Sequence, residues 1–293
     1  MESDSDEAGR REQDAGPQRH ISERGGGGYH GALVVSWLSG RRAGFLALAS
    51  IAIASVAGNV LLGNLWVEEV RKGQVARLDP VGLAVYAADR TAPPPPDARP
   101  VLVLFGDSRA AMWPTPGALS GYTVVNRGIG YQTTAQIAHR IDADVAPLHP
   151  AVIVLEAGVN DLKTIAELPE RRAQVVADCE ANLRSIVQRC KAVSGAVVVV
   201  SIFDIGDVPI WRRPFWSDDI QKAVREVNAF LPSLTGDGVV LLEAGGALDD
   251  GRGRITPAFQ FDFLHLNPAG YAALDTKLVP LVTSLPPRAS RTP

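Results

Sequence analysis

From residue 101 onward the chain alternates short, almost wholly apolar runs with longer stretches in which apolar residues recur every three or four positions. The short runs fall at 101–105, 123–126, 151–155, 196–202 and 239–242 and are rich in Val, Leu and Ile. They lack the strict apolar–polar alternation of a half-exposed strand, so they predict strands of a sheet covered on both faces. The longer patterns predict helices near 133–145, 169–193 and 218–231, with a last one after Pro268. Within 169–193, Val175, Val176, Cys179, Leu183, Ile186, Val187 and Cys190 make one buried stripe. Strands alternating with helices predict an α/β fold, a three-layer α/β/α domain around a doubly wound, five-stranded parallel sheet, over residues 99–286.

Ahead of this domain the pattern changes. Residues 44–66 carry no charge, a length that at ~1.5 Å per residue crosses a bilayer core of ~30 Å. The segment predicts a single transmembrane helix. A cleaved signal peptide, with Ser55, Val56 and Ala57 as the small-residue site, is the other reading. The tail of about forty residues that precedes the run favours an uncleaved anchor. Arg41 and Arg42 abut the span and predict a cytoplasmic N-terminus, with the α/β domain outside the inner membrane. Residues 1–43, polar apart from a few apolar positions and with a glycine run at Gly25 to Gly28, predict a disordered tail. Residues 67–92 predict a helical stalk, and Pro93 to Pro96 end it in a stiff linker reaching residue 98. Residues 287–293 predict a short C-terminal tail.

Composition narrows the partners. Charged residues are 21% of the chain and the formal net charge is -3, which gives no basic face for nucleic acid. Two cysteines exclude a disulfide scaffold and a four-cysteine zinc site. Cys179 and Cys190 lie ~16 Å apart along one helix, beyond the ~7 Å limit for a bridge, and predict free thiols packed in the core.

The chemistry-bearing residues lie just past predicted strands, at the edge where open α/β sheets bind ligands. After the first strand, Gly106-Asp107-Ser108 is a sharp turn that presents a serine hydroxyl. A serine at a strand-to-helix junction is most often an N-cap, and taken alone Ser108 predicts that role; only the blocks farther along the chain favour a reactive hydroxyl. After the second strand comes Asn126-Arg127-Gly128-Ile129-Gly130, where Gly128 lets the backbone approach a ligand. Thr133 stands where a dinucleotide fingerprint needs its third glycine. After the third strand, Gly158-Val159-Asn160-Asp161 offers a carboxamide able to donate to developing negative charge. Near the C-terminus, Asp262 and His265 are close enough for the carboxylate to fix the imidazole tautomer, and Asn267-Pro268 is a ready helix start.

In that order these four blocks resemble the SGNH (GDSL-type) serine hydrolases, a flavodoxin-like fold, over roughly residues 101–282. The resemblance implies a serine esterase without metal or organic cofactor. Ser108 is the implied nucleophile, His265 its general base and acid, and Asp262 the group that orients the imidazole. The Ser108 and Gly128 amides and the Asn160 side chain are the implied oxyanion hole. Arg109 departs from the leucine that often follows the serine, which weakens the case for a lipase-like acyl pocket.

The substrate is less defined. Arg109, Trp113, Tyr131 and Trp211 are the candidates for contacting it, with Phe215 and Trp216 as further aromatic faces suited to sugar rings. Location outside the membrane suggests a small acyl ester, such as an O-acetyl group on a glycan or lipid. An acyltransferase with the same triad and a silent glycan-binding module are the alternatives.

Overall fold

Strands β1 (Val101–Gly106), β2 (Thr123–Gly128), β3 (Val152–Glu156), β4 (Ala196–Val200) and β5 (Val239–Leu242) form one sheet in the order β2-β1-β3-β4-β5. Every pairing is parallel. The structure is a computed structural model that describes residues 29–91 and 99–285, with side chains over 41–90 and 99–285. Residues 1–28 of the expected tail, the Pro93 to Pro96 linker and the C-terminal tail lie outside the described residues.

Helices α1 (Tyr29–Leu78) and α2 (Ala87–Thr91) precede the sheet. Then α3 (Ser108–Ala111) follows β1, α4 (Thr134–Ala138) follows β2, and α5 (Val159–Lys163) and α6 (Arg172–Val193) follow β3. After β4 comes α7 (Asp218–Phe230), and after β5 come α8 (Gly245–Leu248) and α9 (Pro268–Ser284).

The purely apolar strands have the reason anticipated for them: successive side chains point to opposite faces, and both faces are covered. Val103, Phe105, Ile153, Leu155, Val197 and Val199 pack with the stripe of α6 and with Ile220, Val224 and Val227 of α7. Leu102, Leu104, Val152, Val154, Val198 and Val200 pack instead with Leu274, Leu278 and Val282 of α9. This is the three-layer α/β/α arrangement. Cys179 and Cys190 are free and buried in the first layer, and burial pushes the Cys190 thiol up to about 12.

Three elements differ from the sequence pattern. The helix expected over 133–145 stops at Ala138 and gives way to a π turn, Ile141–Val145, and a 3-10 turn, Ala146–Leu148. Arg140 and Asp144, both wholly buried and 3.0 Å apart, break the regular helix there. Arg140 reaches the carbonyls of Gly106 and Arg127, so hydrogen bonds to the sheet, rather than helical periodicity, set its place. Strand β4 ends at Val200 because the Asn228 carboxamide takes both the N–H and the carbonyl of Ile202.

The third difference is the stalk. The apolar run expected at 44–66 lies inside α1, which continues unbroken to Leu78. Its stretch from Arg41 to Leu78 is long and apolar enough to cross a membrane, and none of its most apolar window is buried by protein. The chain divides into two compact units at Val70 and Arg71. Within the second unit, residues 79–90 do not extend as a stalk but fold back on the α/β domain. Asp79 caps the turn by accepting the amides of Leu83 and Ala84, each at 2.8 Å.

Candidate active site

The first residue group is built by β1 and the turn that ends it. Gly106 has φ +153, and a Cβ there would lie 1.8 Å from the Glu156 carbonyl, so only glycine allows β1 and β3 to close at this point. Asp107 is the N-cap of α3, its side chain accepting the Arg109 amide at 2.9 Å. Ser108 is therefore not the cap; it is the first helical residue, and its hydroxyl is left for other use. Ser108 Oγ lies 2.9 Å from His265 Nε2. His265 Nδ1 is 3.0 and 2.9 Å from the two Asp262 oxygens.

The loop carrying Asp262 and His265 is held from both ends. Asp262 Oδ1 accepts the amides of Leu264 and His265 at 2.7 Å. Burial works to raise the Asp262 carboxyl, but the hydrogen bonds from the His265 ring and from these two amides outweigh it and hold the group below the ordinary carboxylate range. On the far side Asn267 caps α9 through the Gly270 amide and fastens the loop with its own NH₂ to the carbonyls of Ala258 and Gln260. Pro268 occupies the first helical turn, as the Asn-Pro pair predicts.

The loop after β2 and the start of α5 form the third side. Asn160 is buried in the first turn of α5 and donates one N–H to the Gln132 carbonyl at 3.0 Å. Next to it, Asp161 accepts the Thr134 amide at 2.8 Å and hydroxyl at 2.6 Å, which ties the loop to α5. Burial pushes the Asp161 carboxyl up to about 6 against those bonds. Gly128 lies at the end of β2, where a Cβ would strike the Ala111 amide at 2.2 Å, and its own N–H donates to Asn126 Oδ1 at 2.8 Å. Gly130 lies beside the serine: a Cβ there would be 3.8 Å from that of Ser108. Tyr131 follows with φ +66, an uncommon left-handed conformation for a residue with a side chain.

Of the substrate-contact candidates, two are corrected. Arg109 is 0% exposed; its guanidinium stacks 3.7 Å over Phe203 and donates to the carbonyls of Phe203 and Leu264, so it is interior scaffolding. Trp113 is 3% exposed, its ring tilted against that of Tyr271 and its indole N–H donated to Asp275, so it fills the core. Tyr131 is 87% exposed and borders a pocket of about 230 Å³ together with His265, Asp262, Lys163, Arg212, Phe215 and Trp216. Trp211 is 73% exposed in the turn Ile210–Phe215 but is not among the residues bordering that pocket. A polar cleft of about 760 Å³ adjoins it across Trp216, bordered also by Asp207, Arg213, Ser217, Gln221 and Arg254.

Sequence reasoning missed a buried charge cluster beneath the hydroxyl. Glu156, at the end of β3, lies 3.8 Å from the Arg109 guanidinium, and Asp107 is wholly buried beside them. Burial, then the neighbouring Asp107, raises the Glu156 carboxyl well above its usual range, although Arg109 pulls it down. Its signal in the sequence is a single acidic residue closing an otherwise apolar central strand.

Comparison with known proteins gives a consistent result. The model of the GDSL-like Lipase/Acylhydrolase family matches residues 103–273. The human platelet-activating factor acetylhydrolase IB subunit alpha2 is 27% identical over 196 residues, covering 64% of this chain and 79% of its own. Among solved structures, a GDSL-like lipase from Bacteroides thetaiotaomicron superposes with a TM-score of 0.57 at 21% identity, covering 69% of this chain and 98% of its own. A putative platelet activating factor from Streptococcus pneumonia gives 0.58 at 21% identity, covering 74% and 98%. With more than half of its length matched by the family model, on a five-stranded parallel sheet of the same fold, the chain belongs to the GDSL-like lipase/acylhydrolase family, enzymes that act on ester bonds.

Proposed function

We propose that the protein is a membrane-anchored serine esterase that hydrolyses a small acyl ester, an O-acetyl group on a glycan being the preferred substrate. The observation that carries the reading is the unbroken line from hydroxyl to imidazole to carboxylate, 2.9 Å and then 2.9 Å, between groups more than 150 positions apart. Ser108 Oγ attacks the ester carbonyl while His265 Nε2 takes its proton, and Asp262 stabilises the imidazolium through Nδ1. The imidazolium then protonates the departing alcohol. Water, giving a proton to the same nitrogen, releases the acid and frees the serine.

The tetrahedral oxyanion needs donors with no other partner. Asn160 has a second N–H beyond the one it gives to Gln132, and the Ser108 amide lies in the first turn of α3, where helix N–H groups lack intrahelical acceptors. Gly128, whose amide is committed to Asn126, serves by shape, letting β2 close on α3. The amides of Gly130 and Tyr131, on the left-handed turn beside Ser108, supply the loop's share of the hole. The small pocket at His265 favours a short acyl group, and the polar cleft across Trp216 favours a hydrophilic alcohol such as an oligosaccharide. Residues 44–66 anchor the enzyme, with Arg41 and Arg42 on the cytoplasmic flank and the α/β domain on the other side.

The test is hydrolysis by the full chain in detergent. Wild-type protein should cleave p-nitrophenyl acetate, release acetate from acetylated oligosaccharides, and be labelled by a fluorophosphonate at Ser108. Ser108→Ala should lose all three. Equal acetate release by the two proteins removes the nucleophile, and activity on long-chain esters but not acetyl esters removes the substrate class.

A further inference from the structure

The segment between α1 and β1 makes more hydrogen bonds to the loop after β2 than a connector needs. The Tyr86 hydroxyl donates to the Gly128 carbonyl at 2.6 Å. Gln132 Nε2 donates to the Val81 carbonyl at 2.5 Å, and Gln136 Nε2 to that of Pro80 at 2.7 Å. Arg90 pairs with the buried Asp144 at 2.6 Å, while Asp89 pairs with Arg127, whose guanidinium lies 4.6 Å over the Tyr86 ring. The fit is close: at Gly82, φ +79, a Cβ would meet Gln132 Nε2 at 2.7 Å.

These contacts lead to the reaction centre in two steps. Gln132 is the node, its side chain held between Val81 and the buried Arg140, its main-chain carbonyl accepting from the Asn160 carboxamide. The Gly128 carbonyl, held by Tyr86, belongs to the peptide that leads into Ile129 and then Gly130 and Tyr131. One side of this loop faces Ser108 and Asn160, and the other is clamped by residues 79–90.

We infer that residues 79–90 are a positioning strap for the oxyanion loop, with the Tyr86 hydroxyl as its main fastening, so that the segment following the apolar helix is part of the catalytic machinery. The inference rests on the hydrolytic reading above. Neither Tyr86 nor Gln132 touches the reacting atoms. They fix the peptide that does, and a loop free to shift by a fraction of an ångström presents its donors poorly to the transition state while binding substrate as before.

The experiment measures kcat and KM of the full chain in detergent on p-nitrophenyl acetate for wild type, Tyr86→Phe, Asn160→Ala and the double variant. Tyr86→Phe should lower kcat about tenfold with KM within about twofold of wild type. In the Asn160→Ala background the same change should cost less than about threefold, because part of what the strap positions is already gone. Wild-type kcat in folded Tyr86→Phe overturns the inference, as does a tenfold loss of equal size in both backgrounds, the mark of independent structural damage. Should Tyr86→Phe not fold, the double variant Asp89→Ala, Arg90→Ala releases the strap at its outer pairs; a lowered kcat supports the inference and an unchanged one overturns it. Ser108→Ala separates the two readings: if it keeps full activity the esterase assignment fails, whereas a dead Ser108→Ala beside an unaffected Tyr86→Phe rejects the strap alone.

Discussion

At the scale of single residues, two neighbours on α5 are separated by what they face. Asn160 gives one N–H to Gln132 and keeps a second, the donor proposed for the oxyanion, so Asn160→Ala should lower kcat by ~10²–10³ with little change in KM. Single-turnover labelling with a fluorophosphonate should slow in proportion. Asp161 faces the other way, into Thr134, and its role is measured as stability rather than rate. Its carboxyl, raised from 3.8 to about 6 chiefly by burial, holds its proton more tightly in the folded chain than in the unfolded one. Below the unfolded value both states are protonated and the stabilisation is complete. As pH rises from about 4 to about 6 the unfolded chain releases this proton first and stability falls, levelling off above that. Unfolding midpoints measured across this range should decline for wild type and stay flatter for Asp161→Asn. Parallel curves for the two proteins would mean that another group causes the decline.

At the scale of elements, the close approach of the parallel strands β1 and β3 depends on Gly106, and the nucleophile's position depends on it. Gly106→Ala adds a Cβ 1.8 Å from the Glu156 carbonyl at a φ that side chains rarely adopt. It should destabilise by ~3 kcal/mol or more, read as a lower denaturant midpoint, and should reduce serine labelling in whatever fraction folds. The strands themselves were legible in the sequence because burial on both faces demands unbroken apolar runs such as 151–155, and the α6 stripe because its period persists over about four turns. The same pattern reading ran a regular helix over 133–145, through Arg140 and Asp144. Their burial depends on partners at Gly106, Arg127 and Arg90, and no local period reports a partner distant in the chain. Arg109 and Trp113 failed as substrate contacts for a related reason: both follow Ser108 closely in sequence, but Arg109 in α3 and Trp113 just beyond its end turn their side chains into the interior. Ser108, Asp262 and His265 were readable as a group only through the ordered motif blocks and the family they resemble, and the fold brings the three within hydrogen-bond reach. The Glu156 cluster below them was not, since one acidic residue at a strand end looks the same whether it meets water or a buried arginine.

At the scale of the whole molecule, the question is where the catalytic unit begins. The proline run put its start near residue 99, with residues 67–92 read as a helical stalk, although the last of these, residues 79–90, pack on the domain. Their contacts are polar and made largely to backbone carbonyls, as at Gly128, and such contacts leave no trace in hydrophobic pattern. The second compact unit of the fold begins at Arg71. Two fragments follow from this difference. One beginning at residue 71 keeps the strap and should retain the kcat of the full chain. One beginning at residue 99 leaves Gln132 Nε2 without Val81 and removes one of the two cations paired with buried Asp144. Each lost bond to a half-buried polar group costs about 1–3 kcal/mol, so the shorter fragment should unfold at lower temperature and turn over at least tenfold more slowly. Circular dichroism melts and acetate release on the two fragments check this. Equal rates would make the strap a passive connector, and a shorter fragment that melts early yet turns over normally would confine its contribution to stability.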